Sequence, residues 1–316
     1  MLHLRLIVPA DRTDEVVALL EKTVGTTHLV VLAGAARNPA GDVITCDVAR
    51  EAGDGLLREL RERGIDDCGS IAVEHIDLSL STRAVQAAED APGEGADAVL
   101  WEQLSDATHE ESTLTVTYIA FLTLATMIAA CGVVLDNAIL IVGAMAVGPE
   151  FGPLAGICTA VVQRAPRLAW RSLVALVAGF AVAMILTVGF SYLMDAMDLF
   201  TYDKFEADRP NTSFIWQPDL MSFVVALLAG IAGTLSLTSA KSGALVGVAI
   251  SVTTVPAASN AAVAFLYGDY SQTVGSTGQL LLNLAGIIVA GTLTLVAQKS
   301  LWARQRARER AAVRES

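Results

Sequence analysis

The segment from Ala138 to Val162, AILIVGAMAVGPEFGPLAGICTAVV, is long and apolar enough to cross a bilayer, yet Gly148, Pro149, Gly152 and Pro153 interrupt it around a single carboxylate, Glu150. Hydrocarbon offers no hydrogen-bond partners. Backbone groups freed by such a break are tolerated only where protein, a cavity or a ligand satisfies them. A membrane helix broken near its middle is therefore a pointer to a transport site.

Composition agrees. The chain is 53% hydrophobic and 17% charged, more apolar than an average soluble domain. The apolar residues are also segregated: the chain is mixed and charge-rich up to about Ser112, and from Leu114 it contains runs near the ~20 residues that cross ~30 Å of hydrocarbon. The expected layout is a soluble domain over 1–78, a partly helical linker over 79–112, a transmembrane domain over 113–298 and a basic tail over 299–316. The first residues, MLHLRLIVPADRTDEV, lack the continuous apolar core of a signal peptide, so the soluble domain is expected in the cytosol. A net charge of −12, with Lys22, Lys204, Lys241 and Lys299 as the only lysines, removes the electrostatic basis for nucleic-acid binding. Cys46, Cys68, Cys131 and Cys158 show no CxxC spacing and are read as small reduced core residues; no metal and no cofactor is expected.

In the soluble part, Leu2, Leu4, Leu6 and Val8 alternate with His3, Arg5 and Ile7 as a half-buried strand, and Pro9 with Asp11 opens a helical stretch to Thr23. Strands follow over 27–33 and 43–48, around the turn signal Asn38-Pro39-Ala40-Gly41. A helix over 54–63 and a strand over 71–76 complete the order βαββαβ, an α+β ferredoxin-like unit. His3, Arg5, Thr45, Asp47 and Glu74 are expected on its open face.

Hydrophobic runs at 114–134, 138–162, 168–194, 220–239, 243–266 and 278–297 predict about six spans. Arg164, Arg167 and Arg171, and the basic residues after Lys299, place both termini in the cytoplasm by the positive-inside rule. The acidic and aromatic connection 195–219 then faces outside and divides the spans into two groups of three. An odd number per group inverts the second relative to the first. Asn137 and Ser242 read as helix N-caps before the second and fifth spans. The fifth span carries its own break at Thr253, Thr254 and Pro256, with Ser259 and Asn260 just after. Gly179, Gly189, Gly230 and Gly233 are read as close-packing positions.

Asn137 with Gly143-Ala144-Met145, then Pro149, Gly152 and Pro153, together with Gly247-Val248-Ala249-Ile250 and Pro256, resembles the two motifs of the prokaryotic domain-of-unknown-function family 389. The likeness covers roughly Ser112 to Ala297. It implies a polytopic membrane domain joined to a variable soluble region, with a transport role and no settled substrate. Glu150 departs from the pattern, which places an apolar residue after that proline.

A carboxylate near mid-membrane costs about 2.5–3.5 kcal/mol on insertion scales, so it is paired, protonated or facing water. The expected function is a secondary active transporter for a small polar or anionic metabolite, working by alternating access with H+ or Na+ coupling at Glu150. Its site is formed by Asn137, Gly148, Pro149, Glu150, Gly152, Pro153, Thr253, Thr254, Pro256, Ser259 and Asn260. The soluble domain regulates or assembles it. A ligand-gated channel and a membrane-anchored metabolite sensor are the alternatives. The expected partners are the solute, the coupling ion, the lipid bilayer of a prokaryotic cell membrane and further copies of the chain, a dimer before a trimer. No nucleophile, base and orienter can be assembled, and no phosphate-cradling glycine motif follows a strand, so an enzyme is not expected.

Overall fold

The computed structural model describes residues 1–76, 78–91, 99–216, 219–238 and 254–315. The described residues fall into two compact units, one built mainly from Met1–Gln103 and the other from Leu104–Leu237 with the described part of Ser242–Lys299.

The first unit runs β1 (Leu2–Val8), α1 (Thr13–Lys22), β2 (Thr26–Arg37), β3 (Ala40–Val48), α2 (Arg50–Glu62), α3 (Ile65–Cys68), β4 (Ser70–His75) and α4 (Thr82–Asp90). Its four strands form one antiparallel sheet in the order β2-β3-β1-β4. Alternation builds it: Leu2, Leu4, Leu6 and Val8 of β1 and Ile44, Cys46 and Val48 of β3 point to one face. There they join Val16, Leu19 and Leu20 of α1 and Leu56, Leu57 and Leu60 of α2 in a single core. Each such side chain contributes about 1.5–3 kcal/mol by leaving water.

The other face of the sheet holds the polar partners, with His3 opposite both Asp47 and Glu74, and Arg5 opposite Thr45. His3 Nδ1 and His28 Nδ1 each lie 2.7 Å from the two oxygens of Asp47, and His28 Nε2 lies 2.9 Å from Ser81 Oγ. Burial pushes the Asp47 carboxyl up, but the two imidazole hydrogen bonds outweigh it and hold the group below the usual range.

Two expectations for this unit need correction. Strand β2 continues past Ala33 to Arg37, because Gly34, in a left-handed conformation with φ +64°, forms an irregularity in the ladder instead of ending it. The Gly34 N–H donates to Asp42 Oδ1 at 2.7 Å. Cys68, expected in a core, is exposed beside Arg12.

The second unit begins with α5 (Trp101–Glu111) and continues with α6 (Val116–Val134), α7 (Ala138–Val147), α8 (Phe151–Gln163), α9 (Pro166–Ala196), α10 (Tyr202–Glu206), α11 (Leu220–Thr238), α12 (Val255–Leu266) and α13 (Tyr270–Glu315). Among the described residues, four helices are long and apolar enough to cross a membrane: α6, α9, α11 and the Tyr270–Leu301 portion of α13. The pair α7 and α8, bent by 54° at its break, makes a fifth if it counts as one span. Of the expected run over 243–266, only the part from Thr254 onward lies within the described residues.

Side-chain contacts set the directions of these helices. Tyr118 of α6 lies against Gly179 of α9, where a Cβ would stand 2.6 Å from the Tyr118 ring, and farther along Thr126 Oγ1 and Thr187 Oγ1 are 2.8 Å apart. The two helices therefore run side by side in the same direction. In the same way Ala226, Gly230 and Thr234 of α11 meet Gly286, Ala290 and Gly291 of α13 in ascending order, so these two are also parallel. Gly189, read as a packing position, meets nothing within 4 Å among the described residues. Helix α12 packs against α6 and α9 and is buried from Val255 through Ala264.

Candidate solute or ion site

Asn137 starts α7 as read from sequence: its Oδ1 accepts from the N–H groups of Ile139 at 3.0 Å and Leu140 at 3.2 Å. The helix ends at Val147. Glu150 then occupies the N-cap position of α8, its carbonyl accepting from the Leu154 N–H at 3.3 Å. Gly152 and Pro153, counted among the breakers, lie inside the first turn of α8. A proline there forfeits nothing, since first-turn N–H groups have no intrahelical acceptor. The interruption is therefore Gly148 to Glu150.

The Glu150 side chain is fully buried, and Thr254 Oγ1 donates to its Oε1 at 2.8 Å. Its other oxygen occupies the space where a Cβ on Gly148 would stand, and that same point is 3.0 Å from Val255 Cγ2. A side chain at position 148 would displace the Glu150 carboxylate from this place. Thr254 and Val255 form the beginning of α12, with Pro256 at its second position. The break of one apolar segment thus meets the start of another, and a carboxylate and a hydroxyl are joined at the meeting point. One turn along α12 from Val255, the Ser259 hydroxyl is buried with no hydrogen-bond partner among the described residues.

Not every residue expected here takes part. Asn137 stands about 15 Å away, at the far end of α7. Asn260 turns to a different network: its Oδ1 accepts from Arg209 Nη1 at 3.2 Å and its Nδ2 donates to Ser276 Oγ at 2.8 Å. Thr253 lies outside the described residues, as do Lys241 and Ser242.

Sequence reasoning missed Arg209, Gln272, Ser276 and the role of Asp136. Arg209 Nη2 donates to Gln272 Oε1 at 2.7 Å, and Asp136 accepts from Asn211 Nδ2 at 2.8 Å and Thr212 Oγ1 at 2.9 Å. The one available signal was a lone arginine in a segment whose other charges are mostly acidic, Asp203, Glu206 and Asp208 beside Lys204. Phe200, expected in an interfacial belt, is buried instead, and so is Phe205.

The family model for a domain of unknown function, DUF389, matches residues 145–289. This stretch of the membrane unit is a DUF389 domain. The match takes in Glu150, Thr254 and Asn260, and is narrower than the likeness read from the motifs. Over 168 residues the chain is 26% identical to an uncharacterized protein of Methanocaldococcus jannaschii, covering 53% of this chain and 50% of that protein. The chain thus spans about half the length of the curated relative it matches. No solved structure matches it.

Proposed function

We propose that the chain is a secondary active transporter that moves a small polar or anionic solute by alternating access, with Glu150 carrying H+ or Na+. The observation that carries this reading is the buried Glu150 carboxylate, bonded to Thr254 where the two apolar segments meet. An ionisable group in a membrane-embedded unit is expensive to bury and is the usual mark of an ion pathway. A carboxylate beside a hydroxyl suits either occupant: protonated, it carries H+, and ionised, the two oxygens are hard ligands for Na+.

Two features support the finer architecture. Parallel pairing of α6 with α9, and of α11 with α13, is what a repeat of three spans generates when each middle span is displaced from the pair. Inversion of the second group follows in this reading from the odd number of spans. In the first unit, the order βαββαβ with sheet order β2-β3-β1-β4 supports the ferredoxin-like assignment. In this reading that domain regulates or assembles the transporter on the cytoplasmic side of a prokaryotic membrane, a side supported by the positive-inside rule for the Arg164–Arg171 cluster.

Reconstitution into proteoliposomes tests the reading with a panel of polar and carboxylate solutes. Saturable uptake driven by a proton or sodium gradient, with that dependence lost in Glu150→Gln, is the expected result. Large single-channel currents would move the chain to the ligand-gated channel class. Uptake that keeps its ion dependence in Glu150→Gln would remove Glu150 from the mechanism.

A further inference from the structure

The segment between α9 and α11 turns its acids outward and its one arginine inward. Asp203, Glu206 and Asp208 are exposed, while Arg209 and Phe205 are buried. The guanidinium lies 4.4 Å from the centre of the Phe205 ring and reaches Asn260 of α12 and Gln272 of α13. Burying a guanidinium costs several kcal/mol unless its donors are satisfied, so this placement demands the contacts it makes. Both acceptors are neutral amide oxygens. A carboxylate in either place would add an ion pair to the hydrogen bond and be harder to release.

Two further contacts seat the same segment. Asn211 and Thr212 hold the Asp136 carboxylate at the turn between α6 and α7. The rings of Phe205 and Tyr202 lie 5.4 and 5.8 Å from that of Tyr267, at the end of α12. Together they cover the end of α12 that points away from Glu150. Beneath this cover α12 carries three buried polar residues: Thr254 on Glu150, Ser259, whose hydroxyl has no partner among the described residues, and Asn260 held by Arg209.

We propose that the segment from Leu199 to Ile215 is a gate that closes the buried polar residues of α12, Ser259 and Asn260, to the membrane face bearing this segment, with Arg209 as its latch and Asp136 as its anchor. The gate takes its purpose from the transporter reading, but its test does not involve flux, so the two can fail separately. When the gate opens, Arg209 leaves Asn260 and Gln272, and both amides become available to a solute.

Thiol accessibility reads the gate directly in the full chain, with Cys46, Cys68, Cys131 and Cys158 replaced and a single Ser259→Cys introduced. A membrane-impermeant charged thiol reagent is applied to either side of sealed vesicles, and Asp208→Cys reports which side bears the segment. From that side, Ser259→Cys is expected to react at least about tenfold faster in Arg209→Ala than with Arg209 present, the shift expected when hydrogen bonds from a charged donor that favour the closed state are lost. Equal rates overturn the proposal, and so does reaction only from the opposite side. If Arg209→Ala does not fold, Asn211→Ala with Thr212→Val releases the anchor instead, and the same comparison applies. A chain that shows no uptake but passes this test keeps the gate and loses the transporter reading.

Discussion

At the residue scale, Glu150 and Thr254 divide the work of the site unequally. Thr254 supplies the donor, and replacing it with Val leaves a buried carboxylate oxygen without that bond, an effect of about 1–3 kcal/mol. Glu150→Gln retains an oxygen acceptor and is expected to change stability by no more than ~1 kcal/mol. Thermal unfolding in detergent distinguishes the two variants; a larger loss in Glu150→Gln than in Thr254→Val would contradict the hydrogen-bond assignment. In the first unit, the Thr13 hydroxyl at 2.6 Å and the Gly34 N–H at 2.7 Å hold the Asp42 carboxyl below the usual carboxylate range. The resulting stabilisation is complete above the unfolded-state value near pH ~4 and is lost as pH falls through the lower folded-state value. Amide exchange of β1 and β3 in the full chain, followed on acidification, should show this loss, and Asp42→Asn should remove the Asp42 contribution to it. Both members of the Glu150–Thr254 pair are readable in the sequence, because each sits at a helix breaker. Their bond joins residues 104 positions apart and depends on how the helices pack, which no local pattern reports.

At the element scale, close approach separates glycines that look alike in sequence. A Cβ on Gly230 would stand 2.7 Å from the Ile287 carbonyl and 2.9 Å from Ala290 Cβ, so Gly230→Ala must push α11 and α13 apart at a cost of about 1–3 kcal/mol. Gly189→Ala meets open space and should change stability by less than ~1 kcal/mol. Equal shifts in melting temperature for the two would contradict the helix packing. Element type is largely legible from periodicity: β1 keeps its expected bounds, and α6 and α9 match the expected runs within a few residues. Element ends are less so. Gly34 reads as a terminator in isolation, but Asp42 across the hairpin turns it into an internal irregularity. Arg209 escapes for the opposite reason. A base among acids next to a proline looks solvated, and only the shape of the surrounding helices draws it inward.

For the whole molecule, the proposed orientation assigns the turn at Arg164 and the segment at Asp208 to opposite sides of the bilayer, since α9 runs between them. Single cysteines at these two positions should therefore react with an impermeant reagent from opposite faces; labelling from one face would remove α9 as a span. Parallel pairing of α6 with α9 also has a consequence for biosynthesis. When α6 leaves the ribosome, the α9 surface that will receive Tyr118 and Leu122 does not yet exist, because α7 and α8 must be made first. At ~5–20 residues per second the delay is on the order of seconds. During that time Thr126 is not stranded in lipid, because its hydroxyl already has acceptors in its own helix, the carbonyls of Leu122 and Thr123 at 3.1 and 2.9 Å. Its later contact with Thr187 replaces no missing bond, so the Thr126 hydroxyl of nascent α6 can wait for its partner already satisfied.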